Sequence, residues 1–270
     1  MSMSEAFRAV KRFGRPIKPF LRWLGSSSYS QWGEDLILFE AMKPSKRGFY
    51  VDCGAYDPIE DSNTYKLYKR GWSGITIEPN LDARWKFRMM RGRDTHLAVG
   101  ASTAPSTLNY HRFQIGVLNT MSDERAAGLI EAGYESRGVE RVRCDRLDTL
   151  LEEYAGGRHI DMLSVDCEGD DLGVVGTLDF VKWRPTVVMV EDLAGYYTQG
   201  EGEISRVVQF MRDKGYEPVS RPSYTVIFVA RDWRELNRRS GAYREEAIYP
   251  NILPEPDAAP ATPAAEAANA

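Results

Sequence analysis

The sequence predicts an α/β fold, doubly wound, with a mostly parallel sheet, an antiparallel edge strand and an insertion after the third strand. Two observations carry this. Short apolar runs recur and end in acid: Gly48–Val51 before Asp52, Gly74–Ile77 before Glu78, Ile160–Val165 before Asp166 and Thr186–Val190 before Glu191. Runs of that length with no polar alternation are the mark of strands buried on both faces, which parallel sheets supply. Helix-forming stretches with turn residues at their ends lie between the first three strands, giving β-α-β-α-β.

Each element can be justified in chain order. Residues 1–28 form a basic amphipathic extension. Arg8, Lys11, Arg12, Arg15, Lys18 and Arg22 alternate with Phe7, Val10, Phe13, Ile17, Leu21 and Leu24 at helical steps, interrupted near Gly14 and Pro16. Two structures suit it: residues 1–25 lying in the plane of an anionic membrane, or a helix packed on the domain with its basic face in solvent. A domain follows over 29–245. Ser30 is placed to cap a helix running to about Met42 that Pro44 closes. After the first strand, Asp61–Thr64 precede a helix over 65–70 with a basic last turn, stopped by Gly71. The second strand is 75–78, a basic helix covers 81–91, and Thr95–Val99 is a third strand. The rhythm breaks over 101–145. Strands at Thr107–Phe113 and Val139–Cys144 flank a helix at Ser122–Ala132, the position at which a substrate-selecting lid would sit on an open sheet. Leu147–Tyr154 and Glu203–Lys214 read as helices and Thr225–Ala230 as the antiparallel edge. Residues 246–270 are an Ala/Pro-rich tail with too little apolar surface for a core.

The 270 residues are 43% hydrophobic and 27% charged, enough for one sizeable core with decoration. A net charge of −4 excludes a general nucleic-acid binder, which carries a basic surplus. Three scattered cysteines make neither a disulfide framework nor a zinc site and point to a reducing compartment. With no run near the roughly 20 apolar residues of a membrane span and no signal-peptide h-region, the expected location is cytoplasmic, peripheral at the inner face of the membrane if residues 1–25 dock there.

The chemistry begins at Asp52-Cys53-Gly54. Glycine after a strand lets backbone approach closely, and Glu78 at the end of the next strand can accept hydrogen bonds from two ribose hydroxyls. The pocket is therefore read as one for a nucleoside. A pyrophosphate would want further glycines in register, but Ala55, Tyr56, Asp57 and Pro58 come next. Asp52 instead suits a cation such as the ammonium and sulfonium of S-adenosylmethionine. Asp166, Glu191 and Asp192 end neighbouring strands and can converge. They are read either as an Mg²⁺ site or as acids that bind ligand and cap helices.

Five ordered motifs then resemble a family: S-Q-W-G-E-D at 30–35, Y-V-D-C-G-A at 50–55, S-N-T at 62–64, R-G-W-S-G-I-T-I-E-P-N at 70–80 and S-V-D-C-E-G at 164–169. Together they are similar to the FkbM family of S-adenosylmethionine-dependent methyltransferases, over about residues 29–193. The resemblance implies a class I methyltransferase (Rossmann-like) fold, O-methylation, and a sugar or polyketide hydroxyl as acceptor. It carries Asp52 and Gly54 onto the cofactor loop, Glu78 onto the ribose-binding acid and Asp166 with Glu168 onto the D-x-E-G strand end. Gln31, Glu34 and Asn63 match motif positions near the cofactor's methionine moiety. Asp192 after Glu191 departs from the pattern and is similar to metal-dependent O-methyltransferases, which chelate vicinal oxygens.

An alcohol needs a base, or a metal that lowers its pKa, before in-line attack on a methyl group. His111 in the insertion is a candidate base, or else a surface histidine on a strand. Asp166 is the other candidate. His96 and His159 lie beside strands as structural residues, and Trp72, Tyr196 and Tyr197 are candidates to stack on a sugar or adenine. The partners expected are a sugar or glycan hydroxyl and, if residues 1–25 dock there, an anionic membrane, with an oligomer allowed and no nucleic acid. Rival functions are a metal-independent methyltransferase of polyketide or other small-molecule hydroxyls, a nicotinamide oxidoreductase, and a non-catalytic scaffold recruited to membranes.

Overall fold

A computed structural model describes residues 28–167, 170–197 and 204–244. The basic extension, the Ala/Pro tail and Glu168 lie outside the described residues. The apolar runs become β1 (Phe49–Cys53), β2 (Ser73–Ile77), β3 (Thr95–Leu97), β7 (Met162–Val165) and β8 (Val187–Glu191). The insertion supplies β4 (Gly100–Ala101), β5 (Ser106–Phe113) and β6 (Ser136–Asp145), and the C-terminal part β9 (Tyr216–Ser220) and β10 (Thr225–Ala230). A seven-stranded sheet has the order β3-β2-β1-β7-β8-β10-β9. It is parallel except at β10, which runs antiparallel to both neighbours.

The antiparallel strand is thus one place in from the rim. All six residues of β10 are buried, whereas β9 is half-buried along most of its length and carries Pro218, which a rim strand tolerates because a ladder donor is dispensable there. The chain winds outward from β1 through β2 and β3, then returns to lay β7 on the other side of β1. That reversal opens a crevice at the carboxyl ends of β1 and β7, where α/β sheets bind ligands.

Helices α1 (Glu34–Met42), α2 (Tyr65–Arg70), α3 (Arg84–Met90), α5 (Leu147–Tyr154), α6 (Asp171–Gly176), α7 (Leu193–Tyr197), α8 (Arg206–Asp213) and α9 (Trp233–Ser240) join the strands. The first starts four residues after Ser30. Gly33 takes the left-handed conformation at φ 90°, and the Ser30 hydroxyl accepts from Asp35 N at 3.2 Å. Asp35 in turn accepts from the Ser28 and Ser30 hydroxyls and from Tyr29 N, closing residues 28–35 into a turn. Trp72 is wholly buried and donates to the Ser45 carbonyl at 3.0 Å, so it packs the core and meets no ligand.

Residues 100–145 build a second, three-stranded sheet in the order β4-β6-β5, with α4 (Asp123–Glu131) against it. Ser122 caps α4 by accepting from Arg125 N at 3.2 Å, as the serine before an acidic first turn predicts. Phe113, Leu118, Ala126 and Leu129 form a small core here, separate from the main one.

Candidate active site

The carboxyl edge of the main sheet and the insertion enclose a cavity of about 570 Å³, inside the roughly 300–1,000 Å³ range of small-molecule sites. From the sheet come Asp52, Gly54, Glu78, Asp166 and Glu191; from the insertion, Tyr110, Asn119, Thr120, Met121 and Arg125; from α7 and the loop before β10, Tyr197 and Tyr224.

Glu78 is 5% exposed at the tip of β2. Its Oε2 accepts from Tyr56 N at 2.9 Å and its Oε1 from Asn80 N at 2.8 Å, while the Tyr110 hydroxyl approaches Oε1 at 3.3 Å. Two backbone donors hold the carboxylate in place, and a carboxylate has about four lone-pair sites to share. Burial and the nearby Glu78 charge push the Tyr110 phenol up, keeping it a neutral donor.

Gly54 follows β1 at φ +80°, and a Cβ there would lie 1.7 Å from the carbonyl oxygen of Asp166. The glycine is required because β7 closes on it, a stronger reason than room for a ligand. Asp52 is 3% exposed and receives the Thr64 hydroxyl at 2.5 Å. Burial raises its pKa, and the Thr64 bond and the Arg91 charge act against that rise. Arg91, itself 1% exposed, donates to the Thr64 and Tyr50 hydroxyls, to the Pro58 carbonyl and to Asp94. Asp94 then takes the Tyr50 hydroxyl and Gly74 N. A buried cation thus backs the strand tips that face the cavity. In the sequence Arg91 reads as the basic last turn of a surface helix; the four-residue step from Ala83 through Phe87, which puts it on the inward face, was the available signal.

A family model for the methyltransferase FkbM domain matches residues 52–218. The chain belongs to the FkbM methyltransferase family. Among solved structures it is similar to a TehB-like SAM-dependent methyltransferase from Corynebacterium glutamicum, with 10% identity over 84% of this chain and 97% of the other and a TM-score of 0.37. It is also similar to a Klebsiella pneumoniae protein provisionally described as an O-methyltransferase, with 11% identity, 83% and 94% coverage and a TM-score of 0.39. No curated protein matches the chain.

For an FkbM methyltransferase the implied methyl donor is S-adenosylmethionine, and the donor set fits it. Glu78 offers a buried, anchored carboxylate, Asp52 a second one near the end of β1, and the cavity walls between them are largely apolar at Ala55, Ile77, Pro79 and Leu118. Gln31 and Asn63 also line the cavity, Asn63 donating to the Ser164 hydroxyl at 3.1 Å. Glu34 is instead buried with Trp32 N at 2.8 Å, its pKa raised by burial.

The remaining candidates divide. Asp166 and Glu191 come together, but the third member of their group is Asp171, whose carboxylate lies within 4.8 Å of theirs. Asp192 turns away. Its Oδ2 pairs with Arg221 at 2.6 Å and its Oδ1 accepts from Gly195 N at 3.0 Å, so it anchors α7. Successive residues at a strand end point to opposite sides, so only one of Glu191 and Asp192 can face the crevice. Asp171 has one oxygen on Cys167 N at 2.5 Å. His111 is outside the cavity lining, where a base would have to stand, and its Nε2 lies 2.6 Å from Asp123 Oδ1 at the start of α4. His96 stacks on Phe87 with centroids 4.3 Å apart, and its pKa is pushed down to about 4 by burial. His159 bonds the Thr186 hydroxyl at 2.9 Å. Both are structural. Tyr196 and Tyr197 form a ring cluster with Tyr224, and Tyr197 and Tyr224 face the cavity.

Two cysteines that are far apart in sequence are neighbours in space. The Cys53 and Cys167 sulfurs lie 3.4 Å apart as thiols, because parallel pairing sets the carboxyl ends of β1 and β7 side by side. The Cys53 contact and burial push the Cys167 thiol up, and Cys167 forms part of the cavity wall.

Proposed function

We propose that the protein transfers a methyl group from S-adenosylmethionine to a hydroxyl of a sugar, as part of a glycan, a lipid-linked saccharide or a glycosylated natural product. The observation that carries this is the composition of the cavity. Its sheet side is rich in carboxylates, and its insertion side and α7 bring Tyr110, Tyr197 and Tyr224 together with Asn119 and Thr120. Aromatic faces with amide and hydroxyl groups between them suit a sugar, which presents C–H faces and a rim of hydroxyls.

When bound, S-adenosylmethionine supplies an electrophilic methyl on a sulfonium. Glu78 would take the ribose hydroxyls and Asp52, beside Gln31 and Asn63, the ammonium end. Asp166, at the crevice between β1 and β7, is the group placed to accept the acceptor's hydroxyl proton. The insertion excludes water and fixes the line of attack, which is most of what the step needs. The test is incubation of the protein with methyl-labelled cofactor and lipid-linked glycan extracted from a deletion strain. A gain of one methyl per saccharide is expected; label appearing only on non-sugar hydroxyls favours a polyketide or other small-molecule acceptor, and calorimetry with no S-adenosylmethionine binding favours a scaffold.

The grouping of Asp166, Asp171 and Glu191 favours a divalent cation such as Mg²⁺ as a second component. Three carboxylates within 4.8 Å repel one another and offer the all-oxygen set that hard cations take. A cation there would hold two acceptor oxygens and acidify one of them. Activity lost in EDTA and restored by Mg²⁺ or Mn²⁺ is expected; full activity in EDTA leaves Asp166 as an unassisted base.

A further inference from the structure

We infer that the outward face of α3 is a docking surface for an anionic lipid bilayer. Leu81, Trp85 and Met89 stand at four-residue steps and are 50%, 61% and 76% exposed. Ala83 and Phe87, on the opposite face at the same step, are buried against Ala55. The helix is therefore amphipathic in both directions. Its inner stripe is satisfied by the domain, and its outer stripe is a second apolar ridge that the fold leaves in solvent. Scattered exposed apolar residues are ordinary, but a Trp and a Met one turn apart on α3, with a Leu in the 3-10 turn just before it, are not scattered.

The charges beside the ridge choose the partner. Arg84 and Arg88 flank it, are exposed, and have no ion-pair partner among the described residues. The ridge's acid, Asp82, is neutralised by Arg112 of β5. Lys69 of α2 reaches the Tyr29 hydroxyl at 2.7 Å, and Arg93, in the turn after α3, lies over the Tyr68 ring of α2. A protein partner would want acids to pair with these cations in fixed geometry. A bilayer needs only an apolar ridge capped by Trp at the interface and unpaired Arg and Lys near headgroup phosphates. The chain also enters the described fold at Ser28 and Tyr29, with Tyr29 packed edge-on to Tyr65 of α2.

The experiment uses the full chain. Sedimentation with phosphatidylcholine vesicles, with and without phosphatidylglycerol, is measured for wild type, Trp85→Ser/Met89→Ser and Arg84→Glu/Arg88→Glu. Cofactor affinity and melting temperature control for the fold. Wild type is expected to bind the anionic vesicles and to be released by high salt. The ridge variant should bind about tenfold more weakly, since insertion scales with the apolar area buried, and the charge variant should lose its preference for phosphatidylglycerol. Should the double ridge variant disturb the fold, Met89→Gln alone, at a position three-quarters exposed, is expected to weaken binding about threefold by the same scaling. Wild-type binding by all variants overturns the proposal and leaves lipid contact to residues 1–25. No vesicle binding by wild type also overturns it, and a concentration-dependent dimer that the ridge variant abolishes would then assign the face to a second copy of the chain.

Discussion

The donor side of the cavity and its insertion side are built by different means. On the donor side the four carboxylates each sit within a residue or two of a buried strand end. Asp52, Glu78, Asp166 and Glu191 are aimed by a ladder whose register leaves them little choice. On the insertion side, Tyr110, Asn119 and Arg125 come from a strand, a turn and a helix held by a four-residue core. A strand tip in a central sheet is positioned by the whole domain. A residue in the insertion is positioned by its neighbours.

That contrast can be broken by substitution. The largest effect is expected at Gly54→Ala, where a positive φ and a 1.7 Å approach to the Asp166 carbonyl leave no room for a methyl group. A loss of roughly 3 kcal/mol or more in urea unfolding is expected, together with loss of cofactor binding. A variant as stable as wild type would show that β1 and β7 can part at the crevice.

Glu78→Gln comes next. It keeps the side-chain shape and one acceptor but loses charge-assisted bonding to the ribose, so calorimetry should show cofactor affinity falling by about 2 kcal/mol. Its melting temperature should fall less than that of Glu78→Ala, which also releases Tyr56 N and Asn80 N. Equal affinity in Gln and wild type would move the ribose elsewhere.

The opposite end of the same strands provides a control. Asp161, just before β7, is buried with Phe49 N at 2.8 Å, and burial raises its pKa to about 6. Because the folded state holds that proton while the unfolded chain has released it, stability contributed below about pH 4 is lost as the pH rises through 6. Unfolding free energy should therefore decline by roughly 2 kcal/mol across that interval, with Asp161→Asn flattening the decline and leaving cofactor affinity untouched. The smallest effect is expected at His111→Asn in the insertion, with turnover within about twofold of wild type, since the ring meets Asp123 and not the cavity. A hundredfold loss would restore it as a base.

Legibility from sequence divides along the same line. An apolar run ending in acid announces both a strand and where its tip points, so the positions of Asp52, Glu78 and Asp166 at the crevice were legible. The antiparallel character of 225–230 was legible too, but the half-buried rim strand at 216–220, with its proline, was too weakly patterned to see. Three facts depended on side-chain direction and not on composition. Glu191 and Asp192 are equivalent as letters, yet the Arg221 partner and the Gly195 N–H take Asp192 out of the crevice and leave Asp171 beside Glu191. Arg91 is a surface residue by composition and a buried one by helical phase. His111 alternates correctly along β5, and nothing local announces that Asp123 will receive it.

The separate core of the insertion has a consequence for how such a molecule can change. Phe113, Leu118, Ala126 and Leu129 pack on one another apart from the main sheet's interior. Substitutions among them alter the shape of the roof without passing strain to β1, β2 or β7. The roof can therefore drift in shape while β1, β2 and β7 remain as they are, so long as Tyr110 keeps its contact with Glu78.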